Sequence, residues 1–182
     1  MSGLPLNNTV CSYTTIEMDG KPFKVRTFTV GGDSDGTKKT LVFTHGYIGP
    51  TVFYMHALAR LSEKYRLVLF DNCCKGLNTK LEEWPPSVLD PETAEQWLLT
   101  FMVRTIDALD LPSRFLLAGH SYGGYLVALY ASQRPERVES LFLVSPAFME
   151  PFDEARYDPT SFSDPKDPRQ RITLARVAEL DQ

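Results

Sequence analysis

The chain has 182 residues, of which 43% are hydrophobic and 23% charged, and its formal net charge is −4. This length predicts one domain with a sizeable core, and the composition is ordinary for a soluble globular protein. The acidic balance gives no basic footprint for nucleic acid, so we expect no nucleic-acid partner. No apolar run reaches the length of a membrane span, and the first residues lack the basic and apolar parts of a signal peptide.

The cysteines indicate the compartment and the absence of a metal site. Cys11 and the adjacent pair Cys73-Cys74 form a poor disulfide framework, which predicts a reducing, cytoplasmic location. No Cys/His spacing resembles that of metal ligands, so we expect no metal and no cofactor. Nothing near the adjacent pair supplies a base, which favours packing over thiol chemistry.

The first half of the chain predicts strands more than helices. Apolar or alternating segments predict four strands, at residues 10–19, 22–30, 40–44 and 65–70. Asp19-Gly20 joins the first two, and this dipeptide favours the primed turns of an antiparallel hairpin. A helix is predicted after Pro50 and through Ser62, and it contains His56, which we interpret as structural.

The second half of the chain alternates helices and strands. Asp90-Pro91-Glu92 is a typical helix start, with an N-cap, a proline at the first position and an acid in the first turn. Apolar side chains follow at helical spacing and predict one buried face: Ala94, Trp97, Leu98, Phe101, Met102, Thr105 and Leu109. Strands are predicted from Phe115 and over Val138–Val144. The order predicts an α/β fold, a mostly parallel sheet with helices on both faces.

A Gly-x-Ser-x-Gly pattern lies between the strand at Phe115 and the helix that follows it. The segment reads Gly119-His120-Ser121-Tyr122-Gly123-Gly124. A serine at the tip of a strained turn needs neighbours without a Cβ, so that backbones can approach closely. The pattern predicts Ser121 as a nucleophile. The backbone N–H of Tyr122, at the start of a helix, then points toward an oxyanion.

Five segments together resemble the N-terminal part of an α/β-hydrolase over about residues 20–150. They are His45-Gly46, Asp71 to Gly76, the serine turn, Arg134 to Val138 and Leu141 to Pro146. The spacing of Glu95-Gln-Trp97 and Gly124-Tyr-Leu126 is similar to the branch that includes CGI-58-like regulators and lysophospholipid hydrolases. The resemblance implies a serine hydrolase for carboxylic ester substrates that are lipid-like, as in that branch, with peripheral contact to a membrane or a lipid droplet.

In this arrangement the loop after the first parallel strand lends the second oxyanion-hole N–H. His45 alone is more typical of a core or loop histidine, but paired with Ser121 the oxyanion-loop interpretation is favoured. The resemblance therefore assigns Tyr47 as the second backbone donor, with His45 and Gly46 as support for its loop. One departure lies at Cys74-Lys75-Gly76, where the family has Gly-x-Gly.

The remaining parts of a triad are missing from the sequence. The family order is Ser, then Asp or Glu, then His, and no histidine follows His120. Glu150 and Asp153 lie where some hydrolases place the acid, and the branch's His-x4-Asp acyltransferase motif is absent. We therefore expect residues 1–146 to be the N-terminal part of the hydrolase core, residues 147–182 to begin a lid, and the chain to be truncated before the catalytic histidine.

Two functions remain open at this stage. One is a lipid-ester hydrolase of which this chain is a portion. The alternative is a noncatalytic relative that binds lipid or a protein partner through the hydrolase pocket. In either case the last strand, Val138–Val144, should lie at an open sheet edge, and an apolar unpaired edge predicts self-association.

Overall fold

A computed structural model describes residues 8–32, 36–73, 75–80, 85–86 and 91–147. The elements in chain order are β1 Thr9–Met18, β2 Lys21–Val30, β3 Lys39–Thr44, α1 Val52–Leu58, β4 Tyr65–Phe70, α2 Pro91–Asp107, β5 Phe115–His120, α3 Tyr122–Gln133 and β6 Val138–Val144. Short 3-10 helices follow α1 at Ala59–Glu63 and α3 at Pro135–Arg137. Each strand predicted from the sequence is present, and the two hairpin strands begin one residue earlier than expected.

The helix predicted through Ser62 is shorter than expected. It ends at Leu58 and continues as the tighter 3-10 turn. The Ser62 hydroxyl donates to the Ala59 carbonyl at 2.6 Å, and Lys64 N–H donates to the Leu61 carbonyl at 3.0 Å. These three-residue bonds tighten the last turn, which is a common way for a helix to end.

The sheet has the strand order β1-β2-β4-β3-β5-β6. Strands β4, β3, β5 and β6 are parallel, and the β1–β2 hairpin joins them antiparallel through β4. Asp19 and Gly20 both have positive φ, 51° and 72°, as the primed hairpin turns require. The mostly parallel sheet of an α/β fold is therefore confirmed.

Helices cover both faces of this sheet, as predicted. On one face, α2 and α3 pack on the strands through a cluster that includes Trp97, Phe101, Met102, Ile106, Leu126 and Tyr130. On the other face, Tyr54, Met55 and Leu58 of α1 pack against Phe43 and its neighbours. Of the predicted apolar face of α2, Trp97, Phe101, Met102 and Thr105 are buried, and the other three residues are half-buried. Leu99 and Ile106, outside that face, are buried as well.

The register of the three central strands determines where the functional residues lie. Thr44, the last residue of β3, is paired with Phe70 at the end of β4 and with Gly119 near the end of β5. Because the three strands are parallel, the loops that follow them meet at the carboxyl ends of the strands. His45, Asp71 and Ser121 are therefore neighbours, although they are far apart in sequence.

Several predictions fall on residues that the structure does not describe. The start of a lid at 147–182 lies outside the described residues except for Ala147, and so do Cys74, Asp90, Glu150 and Asp153. Among the helices that are described, none has the length and apolar character needed to cross a membrane.

Candidate active site

Ser121 lies between β5 and α3 in a backbone conformation that non-glycine residues rarely adopt. Its φ is 52° and its ψ is −121°. Such strain persists only where the surroundings hold it. Ser121 N–H donates to the Val144 carbonyl at 2.9 Å, and its own carbonyl accepts from Ala147 N–H at 3.0 Å. The turn is thus fixed to β6 and to the residues after it.

Glycines around the turn allow three backbones to meet. A Cβ at Gly119 would overlap the Gly123 carbonyl, and a Cβ at Gly123 would overlap the His45 carbonyl. A Cβ at Gly124 would lie 3.0 Å from the Pro146 side chain. The glycines that the sequence pattern required are therefore those that let α3 pack against β5 and the loop after β3.

The loop after β3 touches the serine turn directly. A Cβ at Gly46 would lie 3.0 Å from both the Ser121 Cβ and the His120 Nδ1. The ring of Tyr47 meets the ring of Tyr122 edge-on, with centroids 6.4 Å apart. The N–H of Tyr122 is the first of α3, where backbone N–H groups point out of the helix. The structure therefore brings all the predicted site residues together, while the two backbone donor roles remain predictions.

Aromatic side chains form one wall beside Ser121. The Tyr122 ring stacks on Tyr125 at 6.3 Å, and the Tyr125 hydroxyl donates to the Glu95 carboxylate. Burial, and then nearby groups such as Cys73, raise the pKa of the Tyr122 phenol far above its usual range. Burial and the Glu95 hydrogen bond raise the pKa of Tyr125 to about 12. Both phenols are therefore neutral near neutral pH.

His45 is fully buried and both of its ring nitrogens are engaged. Nδ1 lies 2.5 Å from the Gly46 carbonyl, which it can only contact as a donor, and Nε2 accepts from Asn72 N–H at 2.9 Å. Burial lowers the pKa of this imidazole, although the Gly46 carbonyl and Asp71 act in the opposite direction. His45 is therefore a neutral residue that shapes its loop, as the prediction of a supporting role requires, and is not placed to deprotonate Ser121.

The other two histidines also lie apart from the serine hydroxyl. His120 Nδ1 is 2.9 Å from the Tyr54 hydroxyl on α1, and its ring packs on that tyrosine. His56 is exposed on α1. Within the part of the chain that the structure describes, no histidine is hydrogen-bonded to Ser121.

Asp71 is the centre of a buried polar network that supports the site. Its Oδ2 accepts from Arg26 Nε at 2.8 Å and lies 2.7 Å from a second guanidinium nitrogen of Arg26. Its Oδ1 accepts from Thr51 N–H at 2.8 Å, at the start of α1. Gly76 has a φ of 57°, and a Cβ there would overlap Asp71 Oδ2. One carboxylate therefore joins β2, the loop before α1 and the turn at Gly76.

Asn72 extends the network to the loop after β3. Its side-chain amide donates to the His45 carbonyl, and its Oδ1 accepts from the Thr44 hydroxyl at 2.6 Å. Asn78 donates to the carbonyls of Asp71 and Asn72. The loop predicted to hold an oxyanion is thus fixed by residues of the next strand end.

Comparison with known sequences identifies the family. The sequence model described as alpha/beta hydrolase fold matches residues 39–172, which is more than half of the chain. The chain belongs to the α/β-hydrolase fold family.

Several curated relatives in this family carry lipid-related names. The (lyso)-N-acylphosphatidylethanolamine lipase of Homo sapiens is 32% identical over 123 residues, which are 68% of this chain and 34% of that protein. The 1-acylglycerol-3-phosphate O-acyltransferase of Arabidopsis thaliana is 33% identical over 119 residues, 65% of this chain and 28% of that protein. An abhydrolase domain-containing protein of Caenorhabditis elegans is 31% identical over 135 residues, which are 72% of this chain and 29% of that protein. The chain thus spans about a third of the length of these relatives.

Solved α/β-hydrolase structures show the same fold over about half of their chains. Cfl2 of Burkholderia cenocepacia matches with a TM-score of 0.66 and 18% identity, covering 96% of this chain and 57% of that one. A membrane phospholipase A matches with a TM-score of 0.62 and 22% identity, covering 90% of this chain and 50% of that one. At these identities the likeness establishes the fold.

The sequence analysis missed the residues that hold the hydrolase site in place. Arg26, Asp71, Asn72 and Asn78 were not singled out as functional, and neither was Tyr54. One signal was available, since Asp71 and Asn72 follow a parallel strand at the edge where α/β sheets place their sites. In the Cys74-Lys75-Gly76 segment, the last residue has a positive φ of 57°. Among the described residues, no cluster of three His, Cys, Asp or Glu side chains is placed to hold a metal ion.

Replacement of Gly76 by alanine tests the role of Asp71. Gly20 is the matched control, because it also has positive φ but has open space where a Cβ would lie. We expect Gly20→Ala to cost about 1 kcal/mol of unfolding free energy through backbone strain alone. Gly76→Ala should cost about 3 kcal/mol or more, because the new methyl group displaces a buried, paired carboxylate. Urea unfolding measures both, and equal losses would contradict the role given to Asp71.

His45 predicts a dependence of stability on pH. Its pKa is lowered by folding, so below the ordinary histidine pKa of about 6.5 the unfolded chain binds a proton that the folded chain does not. The stabilisation from the neutral His45 is therefore fully present above that pH. As pH falls below it, the free energy of unfolding should decrease by up to about 1.4 kcal/mol per pH unit. Urea unfolding between about pH 7.5 and pH 5.5 avoids carboxylate titration. His45→Gln should flatten this slope, whereas the exposed-site control His56→Gln should retain it.

Proposed function

We propose that Ser121 is the nucleophile of a carboxylic ester hydrolase of the α/β-hydrolase family that acts on lipid-like esters. The observation that carries the proposal is the strained turn at Ser121, held against Gly46 of the loop after β3. Strain of this kind at a serine at the end of a strand and the start of a helix is typical of a nucleophile elbow.

The proposed reaction follows from this geometry. Ser121 Oγ attacks the acyl carbonyl, a bond forms between them, and the alcohol leaves to give an acyl-serine that water then hydrolyses. The backbone N–H groups of Tyr47 and Tyr122 stabilise the negative charge that develops on the carbonyl oxygen. A base must accept the serine proton, and among the described residues no histidine is hydrogen-bonded to Ser121. Asp71 is committed to Arg26 and is not the orienting acid.

The lipid-like substrate class rests on the relatives and on the wall beside Ser121. The relatives include a (lyso)-N-acylphosphatidylethanolamine lipase and a 1-acylglycerol-3-phosphate O-acyltransferase. The rings of Tyr47, Tyr122 and Tyr125 give an apolar surface against which an acyl chain can pack. No observation favours the noncatalytic alternative. A cytoplasmic location is part of the proposal and is supported by the free thiol of Cys11.

Labelling by a fluorophosphonate probe tests whether Ser121 is set up to react. An unassisted serine is a weak nucleophile, so the 182-residue chain should label slowly. Added imidazole supplies the missing base in solution and should accelerate labelling at Ser121. The modified residue is identified by peptide mass spectrometry.

Two variants give the controls. Ser121→Ala should abolish the imidazole-dependent labelling, while Ser145→Ala should not change it, although Ser145 also has positive φ, 43°. Tyr122→Phe should matter little, because the proposed donor is the backbone N–H. Labelling that persists in Ser121→Ala would remove the proposed nucleophile. Rapid labelling without imidazole would show that a base is present in this chain after all.

Strand β6 supports a second proposal, that the chain self-associates through its sheet edge. β6 is the last strand of the described sheet and pairs with β5 on one side. Leu141, Phe142, Leu143 and Val144 are all exposed. Exposed apolar side chains on an edge strand invite pairing with another chain.

Light scattering coupled to size-exclusion chromatography tests this proposal over a range of concentrations. We expect oligomers that grow with concentration. A lysine at Leu143 should reduce them, because a charge on an edge strand opposes edge-to-edge pairing. Val10→Lys, at an exposed position of β1, is the matched control and should leave them unchanged. A monomer at every concentration would contradict the proposal.

A further inference from the structure

The loop between β3 and α1, together with the first turn of α1, carries a group of exposed apolar side chains. The exposed fractions are 67% for Tyr47, 92% for Ile48, 39% for Val52 and 72% for Phe53. We call these four residues the apolar tip. Exposed apolar side chains are common singly, but a group of large ones at the mouth of a site marks an interaction surface.

The backbone that carries the apolar tip is held in place. Thr51 N–H donates to the buried carboxylate of Asp71 at 2.8 Å, and Phe53 N–H donates to the Pro50 carbonyl at 3.1 Å. The Phe53 ring also covers Gly49, where a Cβ would lie 2.5 Å from it. The side chains are therefore presented to solvent by an ordered turn and are not left exposed by fraying.

A lysine contacts the apolar tip, although the whole chain is acidic. The sequence from His45 to Ser62 contains no Asp or Glu, whereas the formal net charge of the chain is −4. Lys75 Nζ lies 3.9 Å from the centre of the Tyr47 ring, a cation–π contact. Arg60 is exposed in the 3-10 helix that follows α1.

We propose that the apolar tip docks onto an anionic lipid surface. Aliphatic and phenyl side chains enter the boundary between head groups and acyl chains, and a tyrosine ring lies well at head-group level. Basic side chains beside them are attracted to anionic lipids, each by about 1 kcal/mol. The contact of Lys75 with the Tyr47 ring, and the lack of Asp and Glu in the segment from His45 to Ser62, favour this occupant over a second copy of an acidic chain.

Docking of the apolar tip would bring Ser121 close to the lipid surface. The Tyr47 ring belongs to the apolar tip and also meets the Tyr122 ring, next to Ser121. A lipid surface at the tip therefore lies beside the serine. This orientation rests on the proposed lipid-ester function, but the binding itself requires no catalysis, so the two can fail separately.

Vesicle flotation with the full chain tests the proposal. Vesicles of phosphatidylcholine with about 30% phosphatidylserine are compared with phosphatidylcholine alone, at low salt and again at about 1 M salt. We expect binding to the anionic vesicles that weakens at high salt. Ile48→Ser combined with Phe53→Ser should weaken it about tenfold or more, since both side chains lose their insertion. Lys75→Glu should weaken it by about tenfold through the change in charge.

Matched controls separate the apolar tip from other exposed surfaces. Val10→Ser on β1 and Phe142→Ser on β6 remove exposed apolar side chains elsewhere, and Lys64→Glu reverses a charge at the opposite edge of the sheet. None of them should change vesicle binding. If circular dichroism shows that the double variant does not fold, vesicle binding is measured with the single variant Ile48→Asp, because that side chain is almost fully exposed.

Three results would overturn the proposal. The first is a chain that binds neither type of vesicle, and the second is binding that the tip variants leave unchanged. The third is a dimer, seen by light scattering without lipid, that the Ile48 and Phe53 substitutions abolish, since the apolar tip would then be covered by a second copy.

Discussion

The buried carboxylate of Asp71 is the constraint on which the rest of the site depends. A buried charge is costly unless it is paired and hydrogen-bonded, and Asp71 meets this condition with Arg26 and with Thr51 N–H. These partners come from β2 and from the loop that leads into α1. The ion pair therefore does more than neutralise a charge. It fixes the antiparallel hairpin, the parallel strand β4 and the loop after β3 relative to one another.

The strained turn at Ser121 depends on the same arrangement. A positive φ at serine persists because Val144 and Ala147 hold its backbone and because Gly46 leaves room for it. Gly46 is itself held through its carbonyl by the His45 ring, which accepts from Asn72 N–H. The hydrogen bonds thus run from the end of β4 to the serine turn at the end of β5, through the loop between them.

The sequence predicted the local features of this molecule better than its long-range ones. Strands and helices follow from apolar periodicity, and the serine turn follows from glycine spacing, since both signals lie within a few residues. The ion pair joins Arg26 and Asp71 across 45 positions, and in sequence each resembles an ordinary charged surface residue. His45 could be assigned to the loop by resemblance, but its neutral state follows only from burial and from Asn72. No local pattern encodes these contacts, because they arise when the sheet sets the strand ends side by side.

Tyr47 connects the two surfaces that the structure places next to each other. Its backbone belongs to the loop that faces Ser121, while its ring lies at the apolar tip between Lys75 and Tyr122. A ligand that holds the ring in one position therefore also restricts the backbone N–H of the same residue. If a lipid surface favours the ring orientation seen here, it also favours the placement of that N–H, because a ligand shifts an equilibrium toward the conformation that it binds better. In the proposed function, contact with lipid and the placement of the Tyr47 N–H are then coupled through one residue.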